Sequence, residues 1–180
     1  MQLLQLPDSL LTLILSHLSS RQLALVSGTC RRLNLLSWQQ SLWTTIGLAG
    51  DSDGDRAVRA ILARLARGAR EEGALARGLA VAAVQLAGCT GITDRSLAII
   101  ARNTGRTLRQ LEVSGCRNVT NGGILDLVTR CEGLTHLDVS GGWRVYSSPI
   151  FLIKAAARQT KEVKVDGMRG WNSSDLEEAR

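Results

Sequence analysis

Aromatic residues are scarce: the 180-residue chain holds four Trp, one Tyr and one Phe. A core must therefore be assembled mainly from Leu, Ile, Val and Ala. Two prolines exclude a Pro-rich arm or linker. No run of 18 or more apolar residues occurs, which excludes a membrane-spanning helix of ordinary length. The opening Gln2-Leu3-Leu4-Gln5-Leu6 lacks a basic flank and is interrupted by Pro7-Asp8, so neither a signal peptide nor a transit peptide is expected. Cys30, Cys89, Cys116 and Cys131 contain no C-x-x-C pair, the spacing on which zinc and dithiol redox sites depend. Four reduced thiols, no metal and no cofactor are expected, in a protein of the cytoplasm or nucleus.

Charge is present but unfocused. The net charge is +6, yet no four basic residues are consecutive, and the excess is spread over the chain. A nucleic-acid footprint needs cations clustered on one face. A solvated basic surface is the better reading, with neither a nucleic-acid nor a membrane partner.

What the sequence does hold is a repeat. Val81-x-x-Val84-x-Leu86-x-x-Cys89 recurs as Leu108-x-x-Leu111-x-Val113-x-x-Cys116, as Leu134-x-x-Leu137-x-Val139-x-x-Gly142, and more weakly as Thr160-x-x-Val163-x-Val165-x-x-Met168. The starts at 81, 108, 134 and 160 are nearly evenly spaced. Each alternation predicts a short strand with alternate side chains in the core. The turn cysteines Cys89 and Cys116 read as small buried hydrophobes. Helical segments follow. Thr93 caps a helix carrying Leu97, Ile100 and Ala101, and the next begins near Thr120 or Asn121 with Ile124, Leu127 and Val128 on one face. Ser148-Pro149 opens another through Ile150 to Ala157, and Ser173 or Ser174 caps a short terminal one.

One strand and one helix per unit predict an α/β fold, a short arc with parallel strands inside and helices outside. The pattern resembles the cysteine-containing class of leucine-rich repeats, whose I-T-D continuation is matched by Ile92-Thr93-Asp94 and approximately by Val119-Thr120-Asn121. Cys131 falls where that family often has a second cysteine. Gly142 and Tyr146 depart from the pattern in the third copy.

Trp43-x-x-Ile46-x-Leu48-x-x-Asp51 has the same spacing 38 residues ahead of the copy at 81. Val58, Ile61, Leu62 and Leu65 then mark an amphipathic helix. Asp51, Asp53 and Asp55 suggest calcium, but Arg56 and Leu62 stand where an EF-hand loop needs Gly and Glu, so helix-start acids are the better reading. With Gly68, Gly73 and Gly78 expected to break the helix, residues 46–80 read as a degenerate first repeat with an insertion. Its arginines, Arg56, Arg59, Arg64, Arg67, Arg70 and Arg77, face solvent or a partner.

Residues 1–45 are a separate helical unit. A helix opens at Leu6-Pro7-Asp8 and presents Leu10, Leu11, Ile14, Leu15 and Leu18. Ser19 or Ser20 caps a second with Leu23 and Val26, and a third starts near Ser27 or Gly28, carrying Cys30 and Leu33. So few residues cannot bury all these faces internally; some must meet the arc or a partner. The segment resembles an F-box. Leu6 to Ser19 follow its L-P-D-x-L-L-x-x-I-x-x-x-L-S opening, Arg21 to Arg32 its middle, and Ser41-Leu42-Trp43 its close; Leu33 replaces a frequent Trp.

The order resembles F-box/leucine-rich-repeat proteins. The resemblance implies a non-catalytic substrate-recognition subunit of an SCF-type ubiquitin ligase. Its F-box would dock on the small adaptor and through it a cullin. Pro7, Leu10, Leu11, Ile14, Leu18, Leu23, Val26, Cys30 and Trp43 would form or support that interface. The repeat arc would hold the protein substrate through its concave row, read as Gln85, Glu112, Ser114, Asp138, Ser140, Lys164 and Asp166, with Arg109, His136 and Glu162 at the strand entrances. Trp143, Tyr146 and Trp171 either rim that surface or cover the open end. No catalytic residue is expected, since His17 and His136 have no nucleophile placed by motif. The alternative is a structural or assembly subunit using the same surfaces for docking in a large complex.

Overall fold

The computed structural model describes residues 5–71, 78–142 and 162–164. Three short helices come first: α1 (Asp8–Leu15), α2 (Ser20–Val26) and α3 (Arg31–Ser37). Five strands follow, β1 (Thr45–Gly47), β2 (Ala83–Gln85), β3 (Gln110–Glu112), β4 (His136–Asp138) and β5 (Glu162–Lys164). Between them lie α4 (Gly54–Glu71), α5 (Asp94–Thr104) and α6 (Asn121–Arg130). The strands form one sheet in chain order, every pair parallel. The register aligns Ile46, Val84, Leu111, Leu137 and Val163, the central apolar residues of the five sequence copies. Neighbouring helices pack in the same order, α4 on α5 and α5 on α6. The result is a strand–helix stack that resembles a leucine-rich-repeat arc.

The repeat's turn has a physical basis. Gly50, Gly88, Gly115 and Gly141 hold equivalent positions with φ between +64° and +75°, a region that only glycine enters without strain. Three of them donate their amide to the next unit: Gly50 to Ala87 O, Gly88 to Ser114 O and Gly115 to Ser140 O, at 2.7–2.8 Å. The residue after each glycine closes the turn, with Asp51, Cys89, Cys116 and Gly142 donating to Leu48, Leu86, Val113 and Val139 carbonyls. Gly142 thus keeps the turn register although it replaces the cysteine. At two turns the cysteine adds a bond across units, Cys89 Sγ donating to Leu48 O (2.7 Å) and Cys116 Sγ to Leu86 O (3.0 Å).

Carboxylates join the helix starts. Asp55 accepts from the Thr93 amide (2.9 Å), the Thr93 hydroxyl (2.7 Å) and the Ser96 hydroxyl. Asp94 accepts from the amide and hydroxyl of Thr120 (2.8 and 2.6 Å). The T-D pair therefore works between units: its Thr is held by the preceding Asp and its Asp holds the next Thr. Asp51 is used locally, accepting from the Asp53 amide.

Two local expectations change. The third helix starts at Arg31, with Cys30 as its cap, Sγ accepting from the Leu33 amide. Ser27 and Thr29 instead return their hydroxyls to Ala24 O and Val26 O, finishing α2 rather than opening α3. Gly68 does not end α4, which continues to Glu71. A helical glycine costs only about 1 kcal/mol, and α4 is anchored by buried Val58, Ile61, Leu62, Leu65 and Ala69. Thr120 occupies the cap of α6 as expected, its carbonyl accepting from the Ile124 amide, while its hydroxyl serves Asp94 rather than the helix. The predicted helices after Ser148 and after Ser173 or Ser174 lie outside the described residues.

All four cysteines are free thiols. Cys89, Cys116 and Cys131 are buried, and burial pushes Cys116 and Cys131 up to about 11 and raises Cys89. Thiolate is the reactive species, so timed thiol titration of the native chain is expected to show one fast cysteine, Cys30, and four only in denaturant. Fast labelling of Cys89 or Cys116 would contradict the turn structure.

Candidate docking surfaces

The helical unit is built around a buried indole. Trp43 is 1% exposed and donates Nε1–H to Ser37 O at 2.7 Å. It stacks on Trp38 with ring centroids 4.7 Å apart and planes parallel to within 1°. The Arg64 guanidinium lies 5.8 Å from the Trp38 ring centroid and donates to Asn34 Oδ1. This pile spans α3, the turn Gln40–Leu42 and α4. Ser20, buried on α2, ties the unit to the sheet: its hydroxyl donates to Thr45 O and accepts from the Gly47 amide. Ser19 is the α2 cap, in a reciprocal capping box with Gln22.

The predicted adaptor-binding residues divide by burial. Leu11, Leu23 and Trp43 are each 1% exposed and belong to the core. Leu18, Val26 and Cys30 are half-buried, while Pro7, Leu10 and Ile14 are exposed. Leu10, Leu13 and Ile14, at i, i+3 and i+4, form one side of α1 turned away from Leu11 and Leu15. Leu25 on α2 and Leu35 on α3 are also exposed. Leu13, Leu25 and Leu35 were not in the motif-derived set; their excess over the apolar residues needed for the core was the available signal. Five exposed large aliphatics on three short helices are more than the isolated ones any surface carries. An ion pair braces the unit, with Arg32 donating to Asp8 Oδ1 at 2.6 Å and to Leu6 O at 2.7 Å.

The second surface is the open side of the sheet. A shallow cavity of about 190 Å³ crosses β2, β3 and β4, bounded by Gln85, Gln110, Glu112, His136 and Asp138. Ser114 and Ser140 lie just beyond, half-buried; the Ser114 hydroxyl donates to Glu112, and Asp138 accepts from the Ser140 amide. Four predicted residues, Gln85, Glu112, His136 and Asp138, are thus brought together. Arg109 is not among them. It precedes β3, and its guanidinium donates to the carbonyls of Arg106, Leu108 and Gly133. Gln110 holds the place expected of it, opposite His136 in register. The backbone register sets Glu162 beside His136 and Lys164 beside Asp138. Asp166, Trp143, Tyr146 and Trp171 lie outside the described residues.

Among the described residues no group of three or more His, Cys, Asp or Glu is placed to hold a metal ion. None of their helices is long and apolar enough to cross a membrane.

Comparison with known proteins finds matches at the N-terminal segment. The F-box-like family matches residues 3–49. F-box/LRR-repeat protein 21 from Bos taurus and from Ovis aries are each 42% identical over 48 residues. Those matches cover 27% of this chain and 11% of either curated relative. The chain therefore carries an N-terminal F-box-like domain, with similarity to F-box/LRR-repeat proteins over that segment, followed by a parallel strand–helix stack.

Proposed function

We propose that this chain is a non-catalytic substrate-recognition subunit of an SCF-type ubiquitin ligase, working in the cytoplasm or nucleus. The carrying observation is the F-box-like segment at residues 3–49, whose helices leave Leu10, Leu13 and Ile14 exposed on one side of α1. Burying such aliphatics fully contributes about 1.5–3 kcal/mol each, scaled by the area still exposed. Leu11, Leu23 and Trp43 support this face from beneath by fixing the helices.

The mechanism is positioning. The adaptor and a cullin would be held by the helical unit, and a protein substrate by the open sheet face. The Trp43–Trp38–Arg64 pile and the Ser20 bonds join the two parts. A held substrate meets a ubiquitin-charged enzyme at raised effective concentration, without a catalytic residue in this chain.

Affinity capture from cell extract tests this reading. The wild-type chain is expected to recover the acidic adaptor and a cullin. Leu10→Glu with Ile14→Glu should lose both while leaving the unfolding midpoint unchanged, because both side chains are exposed. Stoichiometric recovery of another assembly, without adaptor or cullin, would overturn the reading in favour of a structural subunit.

A further inference from the structure

A groove of about 430 Å³ lies between α2 and α4. Its walls are Ala24 and Leu25 on one side and Ala57, Ala60 and Ile61 on the other, with Trp38 and Leu48 also lining it. Leu25 is 70% exposed, more than any other large aliphatic described, although it stands beside this apolar strip. Arg21, Arg64 and Arg67 line the same groove. Against these three cations stands one carboxylate, Asp51, already accepting from the Asp53 amide. Arg64 is held in place, its guanidinium over the Trp38 ring and bonded to Asn34.

We propose that this groove docks an acidic amphipathic segment of a partner protein, at a site separate from the exposed side of α1. Charge complementarity sets the sign of the partner, since Arg21, Arg64 and Arg67 favour carboxylates over any cation. The apolar walls set its second feature. Ala24, Leu25, Ala60 and Ile61 match side chains spaced along one face of a helix. A nucleic acid or an anionic lipid headgroup would satisfy the arginines and leave Leu25 without an apolar partner. The small alanines leave the room that such side chains need.

The test is selection of displayed peptides about four helical turns long on the full chain. Selected peptides are then measured on Arg21→Glu/Arg67→Glu and on Leu25→Ser. All three substituted residues are exposed, and unchanged unfolding midpoints will show that the variants fold. Enriched peptides are expected to combine Asp or Glu with apolar residues three and four apart. The charge-reversed variant is expected to bind them at least about tenfold more weakly, with a smaller loss for Leu25→Ser. Neutral or basic enriched peptides, affinities unchanged in both variants, or no enrichment would overturn the proposal. So would preferential binding of phosphatidylserine vesicles or duplex DNA at the groove. Adaptor capture by the charge-reversed variant separates this inference from the proposed function: retained capture is expected, and its loss would assign the groove to the adaptor interface.

Discussion

Replacing Trp43 with alanine is expected to destabilise the chain by about 3–5 kcal/mol, the range for removing a large aromatic from a closed core. The substitution removes a side chain only 1% exposed, leaves Ser37 O without its indole donor, and exposes a face of Trp38. It also undoes the pile through which α3 meets Arg64 of α4. Total stability of a domain is about 5–15 kcal/mol, so the loss is a large fraction. Trp43→Phe keeps most of the packing and loses the Nε1–H bond, for a smaller loss of about 1–3 kcal/mol. Urea unfolding followed by circular dichroism measures both. A loss below about 1 kcal/mol for alanine would mean the indole is not the joint between the helical unit and the stack.

The second large effect is expected at Asp55. Alanine there leaves the Thr93 amide and hydroxyl and the Ser96 hydroxyl without their acceptor, three donors at the start of α5. The expected loss is about 1–3 kcal/mol, moderated because the site is half-buried and water can reach part of it. Burial by itself raises the carboxyl pKa. The Ser96 and Thr93 hydrogen bonds and the Arg59 charge outweigh it and hold the group below its ordinary 3.8. A depressed folded pKa contributes stability above the unfolded value, and that contribution is lost as pH falls through the folded one. Asp55→Asn should therefore lower stability at neutral pH and flatten the decline on acidification below the ordinary carboxylate range. Urea midpoints at neutral and acidic pH check this. An equal acid decline in wild type and Asp55→Asn would contradict it.

These two residues show how far the sequence could be read. Trp43 was legible both as the opening of a strand copy and as the close of the F-box-like motif, and the structure uses it in both senses. The strands were legible because period-two alternation recurs with fixed spacing, and register follows from aligning Ile46, Val84, Leu111, Leu137 and Val163. Asp55 is legible in the sequence only as a helix-start acid. Its role between units depends on the distance from the start of α4 to that of α5, which no local pattern encodes. The same holds for Asp94 and Thr120. The sequence puts the start of α3 too early because Ser27 and Gly28 suit a cap as well as a helix end, and hydroxyl bonding to α2 carbonyls decides between them.

The docking surfaces were legible in kind but not residue by residue. A motif specifies that positions 10, 11, 14, 23 and 43 are apolar, not which of them the fold covers. On α1, helical phase decides: Leu11 and Leu15 turn inward, Leu10, Leu13 and Ile14 outward. On the sheet, the one-residue difference between Arg109 and Gln110 decides which side chain joins Glu112, His136 and Asp138 around the cavity.

Under the proposed function, the exposed side of α1 meets the adaptor while the sheet face stays open for another protein. Hydrogen-exchange protection of the purified chain, with and without purified adaptor, tests it most directly. New protection is expected in Asp8–Leu15 and neighbouring parts of the helical unit, with β2, β3 and β4 unchanged. Protection confined to those strands, with α1 exchanging as in the free chain, would contradict it.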